Sequence, residues 1–220
     1  MLGIRIGSAL TRSGLACLLV CLAACAADTS GEDEKPNSSQ AKRKPASDAN
    51  VERVTGDIAV VEALDSVVPN ETEDDTTMLI FQEQHDLTLG SALGYDVRLP
   101  QGAAQPSVAQ GEVPAGTKVN VYFVHFDPVG RASKHFAASI VFSDTVLGVA
   151  FRMKTLDAGD EIAGRADVVY PKPGSATERG LEYPGADKLS FEADGRTLGI
   201  DLATSTSSDQ IRVITAAATK

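Results

Sequence analysis

The run Val119-Asn120-Val121-Tyr122-Phe123-Val124-His125-Phe126 constrains the fold more than any other stretch. Neighbouring side chains of a strand point to opposite faces. Here one face carries Val119, Val121 and Phe123, and the other Tyr122, Val124 and Phe126. A strand apolar on both faces must be covered on both, so this one is predicted to be central. Ser139–Ser143 and Leu147–Met153 are a further pair of candidate strands around Asp144-Thr145, the second with Val149, Phe151 and Met153 alternating with Ala150 and Arg152. Leu189-Ser190-Phe191 and Leu198–Leu202 flank Asp194-Gly195, a strong hairpin signal. Ile211, Val213 and Thr215 alternate in a closing strand, and Met78–Glu83, Tyr95–Leu99 and Ile58–Val68 also read as strands. Leu156 to Asp187 is rich in Gly and Pro and predicts one short helix near Asp157–Ala163, then irregular chain. Short strands cut by Gly, Pro and Asp turns predict an all-β fold, an antiparallel β-sandwich or jelly roll, over residues 54–220. That length can bury one sizeable core.

No cysteine falls in this region. All three, Cys17, Cys21 and Cys25, lie at the amino terminus. Arg5 and Arg12 make a positive start, no acid precedes Asp28, and Gly14–Ala27 carries no charge. This run is shorter than the roughly 20 residues a spanning helix needs and matches the apolar region of a secretory signal. Leu22-Ala23-Ala24-Cys25 resembles the lipobox of bacterial lipoprotein signal peptides. The resemblance implies removal of residues 1–24 and lipidation of Cys25, with Cys17 and Cys21 leaving with the signal. One acyl chain binds a membrane only reversibly, and two or more anchor stably, at about 0.8 kcal/mol per buried CH₂. Ala26, not Asp, follows the cysteine. By the enteric sorting pattern that leans towards the outer membrane or cell surface.

Residues 25–53 hold the lipidated cysteine and a polar linker whose one aliphatic residue larger than Ala is Val51. Such a segment cannot bury enough apolar surface to offset ordering entropy, so it is expected to be a disordered tether. A flexible chain of its length holds a domain roughly 30 Å from the lipid. Losing Arg5 and Arg12 takes the formal charge from −10 to near −12. That acidity, with no basic stripe among aromatics, argues against nucleic acid as a partner. The membrane, through the lipid, is the expected partner.

Gly116-Thr117-Lys118-Val119 leads into His125-Phe126-Asp127-Pro128-Val129-Gly130. Val141-Phe142, Leu147-Gly148-Val149, Tyr170-Pro171, Arg179-Gly180-Leu181-Glu182 and Asp209–Thr215 follow in order. Together these resemble an extracellular β-domain common in exported bacterial proteins that end in a PEP-CTERM sorting signal. The likeness spans about residues 78–217. It implies a β-architecture and an exported location, and supplies no catalytic residues. Ala216–Lys220 lacks the apolar helix and basic cluster of that signal, so the amino-terminal lipid is expected to replace that anchor.

Candidate chemistry is sparse. No Gly-x-Ser-x-Gly elbow, His-Glu-x-x-His or P-loop occurs. His125 and Asp127 share a strand face, with His135 nearby in sequence, and are candidates for a metal site or a base–orienter pair. Asp127-Pro128-Val129-Gly130 also reads as turn chemistry. Asp157, Asp160 and Glu161 are candidate Ca²⁺ ligands or simply charge at a helix start. Glu71, Glu73, Asp74 and Asp75 form a second acidic knot. Arg179 and Glu182, with Asp187 behind them, and Arg212 beside Asp209 are candidates for ligand binding or for ion pairs between loop and sheet. The chain has no Trp, which weighs against sugar stacking. The expected function is a non-enzymatic, lipid-anchored envelope protein with a structural or interaction β-domain. The alternatives are a Ca²⁺- or carbohydrate-binding module, with Ca²⁺ the one cofactor in view, and a hydrolase. A hydrolase requires His125, Asp127 and His135 to meet at a surface cleft.

Overall fold

A computed structural model of the chain describes residues 46, 48, 50–98, 106–129, 133–174, 179–204 and 208–218. Cys25 and the signal region lie outside the described residues, as does most of the tether. The strands are β1 (Val51–Gly56), β2 (Ile58–Val60), β3 (Met78–Thr88), β4 (Leu93–Tyr95), β5 (Gly111–Val113), β6 (Lys118–Phe126), β7 (Lys134–Phe142) and β8 (Val146–Ala150). The helix α1 (Met153–Ala163) precedes β9 (Lys188–Phe191), β10 (Thr197–Thr204) and β11 (Asp209–Ala216).

The central position expected for β6 is where the strand lies. It is third in a five-stranded sheet of order β2-β3-β6-β11-β8, antiparallel to β3 and β11. A four-stranded antiparallel sheet of order β1-β7-β10-β9 packs on one face of it. The core between them joins Tyr122, Val124, Phe126, Ile211 and Val213 to Ile140, Phe142, Leu189, Leu198 and Leu202. Aromatic pairs cross the gap, Tyr122 on Phe142 at 5.0 Å and Phe126 on Phe136 at 4.7 Å. The protein is therefore an all-β sandwich. The second face of the larger sheet is also covered. Leu79, Phe81 and Phe123 pack there with Leu156 of α1 and Val61, Leu64 and Val67. Leu93, Tyr95 and Val113 of the β4–β5 hairpin cover Val119, Val121 and Ile214. This double cover is why β6 and β11 are buried nearly throughout.

The β9–β10 hairpin forms about Asp194-Gly195 as expected, with Gly195 at φ +68° in the turn. Elsewhere tertiary contacts shift the boundaries. β1 begins at Val51, three residues ahead of the boundary at 54, because it pairs with β7. The strands around Asp144-Thr145 do not pair with each other. The chain crosses there from β7 in the smaller sheet to β8 at an edge of the larger. Ile58–Val68 is strand only to Val60, and that strand runs parallel to β3. The Phe151–Met153 alternation ends in helix rather than strand, and α1 starts at Met153 rather than Asp157. Asp96 causes this. Its buried carboxylate accepts the N–H groups of Phe151 and Arg152, each at 2.8 Å, and the Thr155 hydroxyl at 2.8 Å. One carboxylate thus ties down the chain entering α1, the N-cap residue Arg152 included, from another segment.

Candidate functional site

Two buried groups of charge lie on opposite faces of β11. Arg212 and Asp209 are three residues apart, so strand geometry sends them to opposite sides. They do not pair with each other.

On the helix side, Arg212 is fully buried. Its Nε and Nη2 donate to the two Glu83 oxygens at 2.6 and 2.8 Å. Nη2 also donates to Asp160 at 2.7 Å, and Nη1 to the Leu156 carbonyl at 3.0 Å. Arg179 donates to Asp160 at 2.6 Å and to Asp157 at 3.3 Å. Both guanidiniums lie over the Phe123 ring, 5.3 and 5.7 Å from its centroid. Glu83 accepts in addition from the Tyr170 hydroxyl at 2.7 Å. Burial alone would make the Arg212 charge easier to lose. The charge and hydrogen bonds of Glu83 and Asp160 outweigh it and hold the guanidinium above its ordinary pKa. Desolvation first, then the neighbouring Glu83, raises the Tyr170 hydroxyl, which stays protonated as a donor. Gly159 leaves room for this guanidinium, since a Cβ there would press on Arg212 Nη1, which its hydrogen bonds hold in place. A fork of five donors matches this carboxylate set better than an ammonium could. The network ties β3, β11, α1 and the 179 segment together, and it consumes its own charges.

That result disposes the expected site residues. Asp157 and Asp160 face guanidiniums, and Glu161 is exposed on α1. Arg179 turns to these aspartates of α1, and Arg212 pairs with Glu83 of β3 within its own sheet, so neither arginine makes the ion pair expected between loop and sheet. In the acidic knot, Glu71 accepts from Ser66 at 2.6 Å and Asp74 caps its own turn through Thr76. His125 is 1% exposed. Its Nε2 lies 3.0 Å from the Thr72 carbonyl and 3.9 Å from Asp127, and Nδ1 lies 3.3 Å from Gln210 Nε2. His135 is exposed on β7 of the other sheet, against Asp201. The cleft that a His125/Asp127/His135 hydrolase needs is therefore not formed. Asp127 accepts the Asn70 N–H at 2.6 Å, and burial still pushes it up to about 6, with Glu73 adding repulsion.

The second group is acidic only. One carboxylate oxygen each from Glu182, Asp187 and Asp209 lies within 4.8 Å of the others, and theirs is the one such metal-ligand grouping among the described residues. Asp187 precedes β9, and its oxygens accept the Glu182 N–H at 2.7 Å and the Ala203 N–H at 2.9 Å. These bonds fix its carboxylate between the end of β10 and the 182 turn. Asp209 opens β11, is fully buried, and has no hydrogen-bond partner at either carboxylate oxygen. Burial, then the charges of Asp187, Glu182 and Asp127, push it up to about 9. Among the described residues neither Asp187 nor Asp209 makes an ion pair. Three oxygen donors of one sign, two of them buried, can share a proton or hold a cation.

The sequence places Glu182 and Asp187 in one loop and Asp209 at the last strand, and nothing local joins the loop pair to Asp209. A usable signal was present: Asp209 shares its strand face with Ile211 and Val213, as Glu83 shares one with Leu79 and Phe81. A lone acid on an apolar face needs a partner. No helix among the described residues is long and apolar enough to cross a membrane. No known family, curated protein or solved structure matches the chain.

Proposed function

We propose that this chain is a non-enzymatic bacterial envelope lipoprotein, held by acyl chains on Cys25 and presenting its β-sandwich as a structural or interaction module. The observation that carries the reading is Leu22-Ala23-Ala24-Cys25 at the end of a charge-free run too short to span. The polar residues that follow it support a tether. The self-consumed Arg212 network and the buried His125 support a non-catalytic domain, because neither leaves a convergent acid, base and nucleophile. Ala26 after the cysteine favours the outer membrane or the cell surface.

Intact mass of membrane-extracted protein, wild type beside Cys25→Ser, tests the anchor. The expected result is a mature mass beginning at Cys25 with a triacyl increment that the variant lacks. A mature mass beginning after Cys25, without lipid, overturns the reading and leaves a freely secreted domain.

A further inference from the structure

We propose that Glu182, Asp187 and Asp209 form a binding site for one hard divalent cation of the Ca²⁺ class. The site is independent of the anchor and involves none of the acids that sequence reading favoured for a metal. An acidic cluster alone would not argue for a ligand. Here a second observation does. Asp209 is fully buried with both carboxylate oxygens unpartnered, and its carboxylate is aimed at the other two acids. Buried polar groups in folded proteins almost always find a partner, and a carboxylate unpartnered at both oxygens calls for one from outside the chain, a proton, a water or an ion.

The chemistry selects the ion. All three side chains offer carboxylate oxygen, with no imidazole or thiolate among them, which disfavours zinc and copper and suits calcium, magnesium or manganese. Calcium tolerates irregular oxygen cages at 2.3–2.6 Å, whereas magnesium demands near-ideal octahedra and gives up water reluctantly. Two donors come from rigid strand ends. Asp187 is fixed by two backbone N–H groups that leave further lone pairs free, and Asp209 by β-pairing with Phe126. Glu182 is exposed and offers the entry side, where water completes the coordination. The cation would tie the start of β9 and the start of β11 to the 182 turn, closing one end of the sandwich across both sheets.

The test uses the purified full chain, stripped with chelator and titrated with calcium chloride by calorimetry, with magnesium chloride in parallel. Wild type should take up one Ca²⁺ per chain and bind Mg²⁺ more weakly. Glu182→Gln, an exposed change that leaves the core intact, should weaken binding by about tenfold or more, because ligand charge sets affinity in such sites. Asp209→Asn should abolish it, and Glu161→Gln on α1 should leave it unchanged. Absence of saturable heat with either ion at millimolar concentration overturns the proposal. So does binding that survives both Glu182→Gln and Asp209→Asn.

Discussion

The two faces of β11 bury charge in opposite ways. Arg212 meets two carboxylates and a carbonyl, and every nitrogen of its guanidinium is used. Asp209, three residues away, meets other acids and no donor. Burial is equally complete, so burial does not distinguish a structural charge from a functional one. Closure of the hydrogen-bond network does. A closed network behaves as part of the core. An open one is incomplete until a proton or a ligand supplies what the chain does not.

The largest effect should come from opening the closed side. Arg212→Met leaves Glu83 buried and uncompensated, and should cost about 3–5 kcal/mol by urea unfolding. Combining it with Glu83→Met should recover a good part of that loss, since Asp160 keeps Arg179 and no buried carboxylate is stranded. If the double variant is less stable than Arg212→Met, the network contributes through something other than charge compensation. Gly159→Ala attacks the same cluster sterically. It should cost about 1–3 kcal/mol, the range for overpacking, despite the better helix propensity of alanine.

These two predictions also mark where the sequence was readable. The β9–β10 hairpin and β6 were legible because their signals are local, a Asp-Gly turn in one and a two-sided apolar run in the other. The partners were not. Glu83 and Arg212 are 129 positions apart, and β1 pairs with β7 from Val51 against Phe142 to Gly56 against Ala138, so no local pattern joins them. The helix start was misread because alternation in Leu147–Met153 is a local signal, whereas the Asp96 carboxylate that turns the chain comes from 55 residues earlier. The acids of the open side were each visible, yet their meeting depends on where β9 and β11 begin in three dimensions. Arg179 and the Asp157/Asp160 pair were visible too, but only the fold shows that they neutralise one another.

The open side should respond to pH with the opposite sign from a salt bridge. Folding raises Asp209 to about 9 and Asp127 to about 6, from 3.8. The neutral forms are favoured in the folded state. Their contribution is fully present below about pH 4 and is lost as pH rises, first through 6 for Asp127 and then through 9 for Asp209. The groups facing Asp209 are Asp187, Glu182 and Asp127, and those facing Asp127 are Glu73, the Asn70 N–H and His125. Cation-free Asp209→Asn should therefore be more stable than wild type near pH 8, by about 1–3 kcal/mol, and equal to it near pH 4. Thermal melts in chelator check this. In calcium the order should reverse, because only wild type gains the ligand.

The smallest effect belongs to the surface. Arg196 and Glu52 pair at 3.1 Å with both side chains well exposed. Glu52→Gln should change unfolding free energy by no more than about 0.5 kcal/mol, as expected for a solvated ion pair. A larger loss would mean that β1 is held by that pair rather than by its ladder to β7.

A crystal structure grown in calcium, with anomalous data, decides what the open side is for. The expected result is one anomalous peak bounded by Glu182, Asp187 and Asp209, about 2.3–2.6 Å from their oxygens, and none at Asp157 or Asp160. No peak at the three acids, with Asp209 instead sharing a short hydrogen bond with Asp187, would contradict the cation site and make the cluster a buried proton store.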